Sequence, residues 1–229
     1  MNAMSSGSGL DAMARRALEE VRDGQVVGLG SGRAATAFVR ALGDRVRAGL
    51  RVRGVPTSRA TADLATKLGI PLATLEEAGA VDVDVDGADE VAPNLDLIKG
   101  LGGALVREKR VARASRRLII LVTPEKLVPA LGTRGTLPVE VESARRQDCA
   151  DQLAALGLHP EVRKVGEVPY VSDNGNPILD CRIGPVGDPQ GLDRAILETP
   201  GVVGTGFFLG MADLVLVQDG DAVRALGRA

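Results

Sequence analysis

Apolar positions along the chain fall into two alternating rhythms. Leu10, Met13, Ala14, Ala17, Leu18 and Val21 recur at helical spacing, and Gly24 closes that pattern. The Ser/Gly-rich lead before Leu10 predicts disorder. Val26 to Leu29 is a short apolar run of strand length that opens into glycines. A helix from Ala34 to about Ala48, a strand near Arg51 to Pro56 and a helix from Ser58 to Leu68 follow. Such alternation of strand and helix predicts a parallel sheet covered by helices. Val81 to Asp86 predicts another strand, Gly102 to about Ser115 a helix, and the all-aliphatic Leu118 to Val122 a central strand.

The rhythm changes after about Arg134. Leu137 to Val141 predicts a strand and Ala144 to Leu156 an amphipathic helix. Val168 to Ser172 and Ile178 to Arg182 predict a hairpin joined by Asp173-Asn174-Gly175-Asn176, since Asn-Gly between apolar runs favours a tight turn. A helix from about Gly191 to Leu197 and a strand from Gly201 to Leu209 complete a small α+β segment, and Asp213 to Gln218 predicts a last strand returning to the first sheet.

Composition narrows the chemistry. The 229 residues include one His, two Cys, one Tyr and no Trp. A Ser-His-Asp hydrolase would depend on His159, and a zinc site would need His159, Cys149 and Cys181 to converge from unsuitable spacings. Proton transfer is left to carboxylates and lysines. With 28 basic and 30 acidic residues the net charge is −2, which gives no basic field for nucleic acid, and 2% aromatics cannot line a single-strand groove. Two cysteines make no disulfide framework, the amino terminus lacks a signal peptide's apolar core, and the most apolar stretch, Gly201 to Val217, is interrupted by glycines and Asp213. A cytoplasmic protein without nucleic-acid or membrane partners is expected.

Three motifs carry candidate chemistry. Gly28-Leu29-Gly30-Ser31-Gly32-Arg33 lies between a strand and a helix, where backbone N–H groups can approach an anion. It is not a dinucleotide fingerprint, because Arg33 stands where glycine is needed and the next strand ends in Val55-Pro56-Thr57 without an acid. Val81-Asp82-Val83-Asp84-Val85-Asp86-Gly87-Ala88-Asp89-Glu90 alternates so that Asp82, Asp84 and Asp86 share a face opposite the valines. Asp86 and Asp89 then fall at a strand's carboxyl end, the ligand-binding edge of open α/β sheets, and the bland alternative for Asp82 and Asp84 is a half-exposed strand with solvated carboxylates. Gly87 is out of register for a calcium loop. Lastly, in the run from Leu97 to Lys109, Lys99 precedes the turn Gly100-Leu101-Gly102-Gly103 that opens a helix carrying Glu108.

In combination these motifs resemble the type A ribose-5-phosphate isomerases. The resemblance rests on Asp86-Gly87-Ala88-Asp89-Glu90 and the Leu97 to Lys109 run, with Lys126-Leu127-Val128, Leu131-Gly132, Leu137 to Val141 and Asp173 to Asp180 in the family's order. It implies a Rossmann-like parallel-sheet α/β domain (residues 1–134 and 206–229) with an inserted small ferredoxin-like α+β domain (135–205). It further implies metal-independent, cofactor-free interconversion of ribose 5-phosphate and ribulose 5-phosphate, on a sugar-phosphate substrate, by a homodimer or homotetramer. By motif position Glu108 is the acid/base, assisted by Asp86 and Lys99. Ser31, Gly32, Arg33, Ala34, Asp86, Gly87, Ala88, Asp89, Lys99, Gly100, Leu101, Gly102 and Lys126 line the substrate site. Arg33 and Ala34 replace a Ser-Thr pair usual in the family's phosphate loop, Leu101 replaces a glycine, and Leu10 stands where many members carry lysine. A guanidinium at Arg33 can offer two donors to phosphate oxygens in place of the lost hydroxyls. The alternatives are a non-catalytic sugar-phosphate binding or sensing protein, or an isomerase of a neighbouring sugar phosphate, on the same scaffold. The intact set of Glu108, Lys99, Asp86 and Asp89 favours catalysis, since a pure binder needs no base. His159 matches no family site position and is expected at the surface or a hinge.

Overall fold

Strands 26–29, 53–56, 83–87, 118–122 and 214–219 pair in parallel in a computed structural model that describes residues 5–220 and 222–227. The chain divides into two compact units, one of residues 1–88, 107–126 and 211–229, the other of 89–106 and 127–210.

The first unit is built on that sheet. Its strand order is Ala222–Gly227, Leu214–Asp219, Leu118–Val122, Val83–Gly87, Val26–Leu29, Arg53–Pro56, and only the 222–227 edge runs antiparallel. The central strands carry aliphatic residues on both faces because helices cover both, and Leu118 to Val122 is buried throughout. Met13, Ala17, Phe38, Val39 and Leu42 from two of the helices pack on Val27, Val85, Ile119 and Leu216. Truncating a fully buried side chain such as Phe38 to alanine costs about 3–5 kcal/mol. The chain passes from Val26–Leu29 outward to Arg53–Pro56 and then back to Val83–Gly87 on the other side. This reversal makes a topological switch point at the carboxyl ends of Val26–Leu29 and Val83–Gly87, where open α/β sheets bind ligands.

Two expectations for this unit change. The lead is helical from Ser5, the helix running Ser5–Leu18, while residues 1–4 lie outside the described residues. A Cβ at Gly9 would meet the end of the Gln218 side chain, so any larger residue there requires that side chain to move aside. The alternating aspartates are not a solvated face. Asp84 is fully buried and Asp86 nearly so, while Asp82 accepts the N–H of Val26 at 2.9 Å and lies 3.9 Å from Arg116.

The second unit contains a four-stranded antiparallel sheet in the order Val202–Thr205, Thr136–Val141, Ile178–Arg182, His159–Val162, with helices Arg146–Ala155 and Pro189–Leu197. Counted along the chain, this is strand order 4-1-3-2 with helices after the first and third strands, a ferredoxin-like arrangement. Leu137, Val139, Cys149, Leu153, Leu179, Cys181 and Ile196 form its core. The unit takes in more than residues 135–205, because Glu90–Val91 and Leu97–Ile98 pair with each other and Leu97–Ile98 pairs with Phe207–Phe208.

The expected hairpin also differs. His159–Val162 is the partner of Ile178–Arg182, whereas Val168–Pro169 pairs with Lys164–Val165. Across Asp173 to Asn176 only an isolated bridge, Val171 to Pro177, remains. The turn's amides serve another purpose: Asn174 and Asn176 each donate to Oε1 of the buried Glu140 at 3.0 Å. Among the described residues no helix is long and apolar enough to cross a membrane.

Candidate active site

The glycine loop leaves the Val26–Leu29 strand at the switch point. Gly32 has φ 88°, a left-handed conformation suited to glycine, and precedes the helix Arg33–Arg47. Arg33 is therefore that helix's first residue, exposed, with Ala34 partly buried beside it. The Ser31 N–H donates to Oδ1 of Asp86 at 3.0 Å, and the same oxygen accepts the N–H of Gly87 at 2.7 Å. Two of the sequence motifs are thus joined by one carboxylate oxygen. Gly30 must lack a side chain, since a methyl there would overlap the Asp86 carboxylate and its backbone.

The Ser31 hydroxyl belongs to a cluster that motif reading did not include. Its Oγ lies 2.9 Å from Thr57 Oγ1, 2.8 Å from Ser58 Oγ and 3.3 Å from Thr61 Oγ1. Thr57 donates to the Leu29 carbonyl and Thr61 to the Gly30 carbonyl, both at 3.0 Å. Ser58 also accepts the Thr61 N–H at 3.1 Å, capping the helix Arg59–Lys67. A sequence signal was present: Thr57-Ser58 closes the second strand, where a dinucleotide-binding protein would carry its acid.

Glu108 sits in the first turn of the helix Leu105–Ala114 and is 4% exposed. A carboxylate there is favoured by the positive end of the helix dipole. Lys126 ends the short turn Pro124–Lys126 that follows the central strand Leu118–Val122, and is half-buried. Gly87 and Ala88 continue from Asp86 at the strand end.

The second unit holds the other candidates. Lys99 is 3% exposed; its N–H donates to the Gly206 carbonyl at 2.9 Å, and its ammonium lies 5.3 Å from the Phe208 ring centroid. The turn after it closes through the Gly103 N–H on the Gly100 carbonyl at 3.0 Å, with φ of 106° at Gly100 and 85° at Gly103. Those angles delay the helix to Leu105, three residues later than its apolar pattern predicts. Asp89 accepts the Leu101 N–H at 3.0 Å, and Gly102 is exposed at the turn's outer side. Glu90 has a structural task, its two oxygens accepting the N–H groups of Gly132 and Arg134, each at 2.6 Å.

His159 opens an exposed strand edge, and Cys149 and Cys181 are buried free thiols. Among the described residues no group of three or more His, Cys, Asp or Glu is placed to hold a metal ion.

The family model of ribose 5-phosphate isomerase A (phosphoriboisomerase A) matches residues 53–222. Ribose-5-phosphate isomerase A of Gloeobacter violaceus is 52% identical over 214 residues, covering 93% of each chain. The protein of the same name from Thermomicrobium roseum is 50% identical, covering 94% of this chain and 92% of its own. Among solved structures, ribose 5-phosphate isomerase A of Methanocaldococcus jannaschii superposes with a TM-score of 0.92 at 37% identity, over 97% of this chain and all of that one. A D-ribose-5-phosphate isomerase in complex with phospho-erythronic acid gives 0.93 at 35% identity over the whole of both chains. The motifs that join at the switch point and this near-complete similarity agree: the chain belongs to the ribose 5-phosphate isomerase A family.

Proposed function

We propose that Glu108 is the base with which this chain, an aldose-ketose isomerase, interconverts ribose 5-phosphate and ribulose 5-phosphate. In the open-chain aldose the Glu108 carboxylate removes the proton on C2. The electron pair forms the C1–C2 double bond of an ene-diolate, with negative charge developing on O1. Glu108 returns its proton to C1, and the net transfer of the O2 proton to O1 leaves the carbonyl at C2. Lys99 and nearby backbone N–H groups supply the positive charge and donors beside the developing oxyanion, and Asp86 or Asp89 handles the hydroxyl protons. A single positioned acid/base contributes about 10² to 10⁴ in rate.

The observation that carries this reading is a carboxylate 96% removed from solvent in the first turn of a helix, in a chain half identical to named isomerases. The phospho-erythronic acid held by a structural relative is a phosphorylated four-carbon sugar acid, which supports a sugar-phosphate ligand here. Within that ligand the phosphate is assigned to Ser31, Gly32, Arg33 and Ala34, with Gly87, Ala88, Gly100, Leu101, Gly102 and Lys126 completing the substrate contacts. Self-association as a homodimer or homotetramer is part of this reading, and sedimentation velocity measures it directly.

The decisive assay follows ketose formation from ribose 5-phosphate in excess chelator. Wild type turns over, and Glu108→Gln, correctly folded, loses at least about 10²-fold in kcat. Retained turnover in folded Glu108→Gln would remove Glu108 from the role of base.

A further inference from the structure

The Gly100–Leu101 peptide is held from both ends. Its N–H donates to Oδ2 of Asp89 at 3.0 Å, and its carbonyl, that of Gly100, accepts from Nη1 of Arg163 at 2.9 Å. The same Nη1 reaches the Leu101 carbonyl at 3.1 Å. Arg163 is itself fixed: its Nε donates to Asp180 Oδ2 at 2.9 Å, its Nη2 to the other Asp180 oxygen, and its guanidinium lies 5.8 Å from the Tyr170 ring centroid. The side chain is 10% exposed, so these bonds form largely away from water. A guanidinium is the one side chain able to do this, since its planar fork engages a carboxylate through two nitrogens while the third points elsewhere.

We propose that Arg163 is a positioning residue for the isomerisation, acting through the Gly100–Leu101 peptide on Asp89. Asp180 orients Arg163, Arg163 fixes the peptide's carbonyl, and the rigid peptide plane then presents its N–H to Asp89. Gly100, at φ 106°, is in a backbone region with little steric restraint for glycine, so the turn's own Gly103 N–H on the Gly100 carbonyl is its internal hold and Arg163 adds a second from outside. Without Arg163 the Gly100 carbonyl keeps the Gly103 N–H, but the peptide is held less firmly, and the Leu101 N–H no longer aims the Asp89 carboxylate as tightly. Neither Arg163 nor Asp180 lies in the motifs assigned to substrate. The inference rests on the reading of Asp89 and the Lys99 to Gly102 turn as substrate-binding.

Arg163→Ala, Arg163→Lys and Asp180→Asn test it, assayed with ribose 5-phosphate beside wild type and Glu108→Gln. A displaced catalytic geometry lowers kcat by about 10²-fold for Arg163→Ala. Arg163→Lys is expected to fall similarly, because an ammonium cannot span Asp180 and the two carbonyls, and Asp180→Asn to fall less. The inhibition constant of inorganic phosphate should stay at its wild-type value, since that anion is assigned to Ser31 to Ala34. In an Asp89→Asn background, adding Arg163→Ala should change kcat by no more than about twofold, because the residue it acts through is already disabled. Unchanged kcat in folded Arg163→Ala would overturn the inference. So would a parallel rise in the phosphate inhibition constant, or a full loss repeated in the Asp89→Asn background. If Arg163→Ala fails to fold, Arg163→Lys and Asp180→Asn decide by the same criteria. Failure of wild type to turn over ribose 5-phosphate would instead refute the proposed function.

Discussion

The N–H of Ser31 donates to Oδ1 of Asp86 at 3.0 Å, linking residues 55 positions apart across two neighbouring parallel strands. That oxygen also accepts the Gly87 N–H, so Asp86 fixes the glycine loop while keeping its place at the strand end. The geometry requires close approach of the backbone at Gly30. Gly30→Ala would push a methyl into the Asp86 carboxylate, and the overpacking costs about 1–3 kcal/mol. We expect a folded protein with a lowered Tm and kcat/KM reduced by about 10²-fold. Asp86→Asn, which keeps a carbonyl oxygen to accept the same N–H groups, separates the two effects. Its Tm should lie closer to wild type while kcat still falls. Equal losses of Tm in the two variants would reduce Asp86 to a structural role.

The proposed function assigns phosphate contact to Arg33. It is exposed at the first position of its helix, and with Ala34 it stands where the family resemblance implies two hydroxyl residues. If its guanidinium meets the phosphate, Arg33→Ala loses roughly 1 kcal/mol of a solvent-screened ionic contact. That corresponds to a rise in KM of about fivefold. Raising the salt concentration should raise the wild-type KM and leave the variant's less affected. The double change Arg33→Ser with Ala34→Thr should restore KM by supplying hydroxyl donors. An unchanged KM in Arg33→Ala at low salt would take the side chain out of the site.

The hydroxyl cluster predicts a separable effect. Protons of Thr57 and Thr61 are committed to backbone carbonyls, so Ser31 directs its own inward unless another donor satisfies its oxygen. Ser58 can reverse its hydroxyl from Thr61 to Ser31 and free the Ser31 proton for an anion. Ser58→Ala removes that donor together with the helix cap, costing about 0.5–2 kcal/mol of stability. KM for ribose 5-phosphate should rise, kcat should change little, and Ser58→Thr should rescue both Tm and KM. A Ser58→Ala protein with lowered Tm and wild-type KM would leave only the cap.

Most of the candidate residues are legible in the sequence because each is carried by a local motif. Asp86, Asp89, Lys99 and Glu108 each lie at a strand end, a glycine turn or a helix start, features written in short runs of residues. Other elements depend on partners distant in sequence. Nothing near His159 to Val162 announces a strand, since only pairing with Ile178–Arg182 makes it one, and the Asn-Gly turn is diverted by the buried Glu140. Burial of Asp84 and Asp86 was equally hidden, because alternation marks two faces without saying that helices cover both. Arg163 carries no motif at all, its task being defined by a turn more than sixty residues earlier.

Burial pushes the Cys181 thiol up to about 12, and Cys149 is raised for the same reason, although Arg145 opposes the shift there. Both are core residues of the second unit, Cys181 on its Ile178–Arg182 strand and Cys149 on its Arg146–Ala155 helix. A thiol with a raised folded pKa binds its proton more tightly in the native state than in the unfolded chain. Above the ordinary value of 9.0 the unfolded state therefore loses its proton first, and stability falls as pH rises from there toward about 12. For one such group the fall approaches roughly 1.4 kcal/mol per pH unit. Urea midpoints at pH 8 and pH 10.5 should show a larger alkaline loss for wild type than for Cys181→Ala, whose remaining titrating groups are the same. At pH 8 the variant is expected to be the less stable of the two, because it leaves a cavity. Native protein should also resist thiol reagents at pH 8 until denaturant exposes both cysteines. Identical alkaline losses in wild type and variant would show that Cys181 ionises in the folded protein as readily as in the unfolded chain.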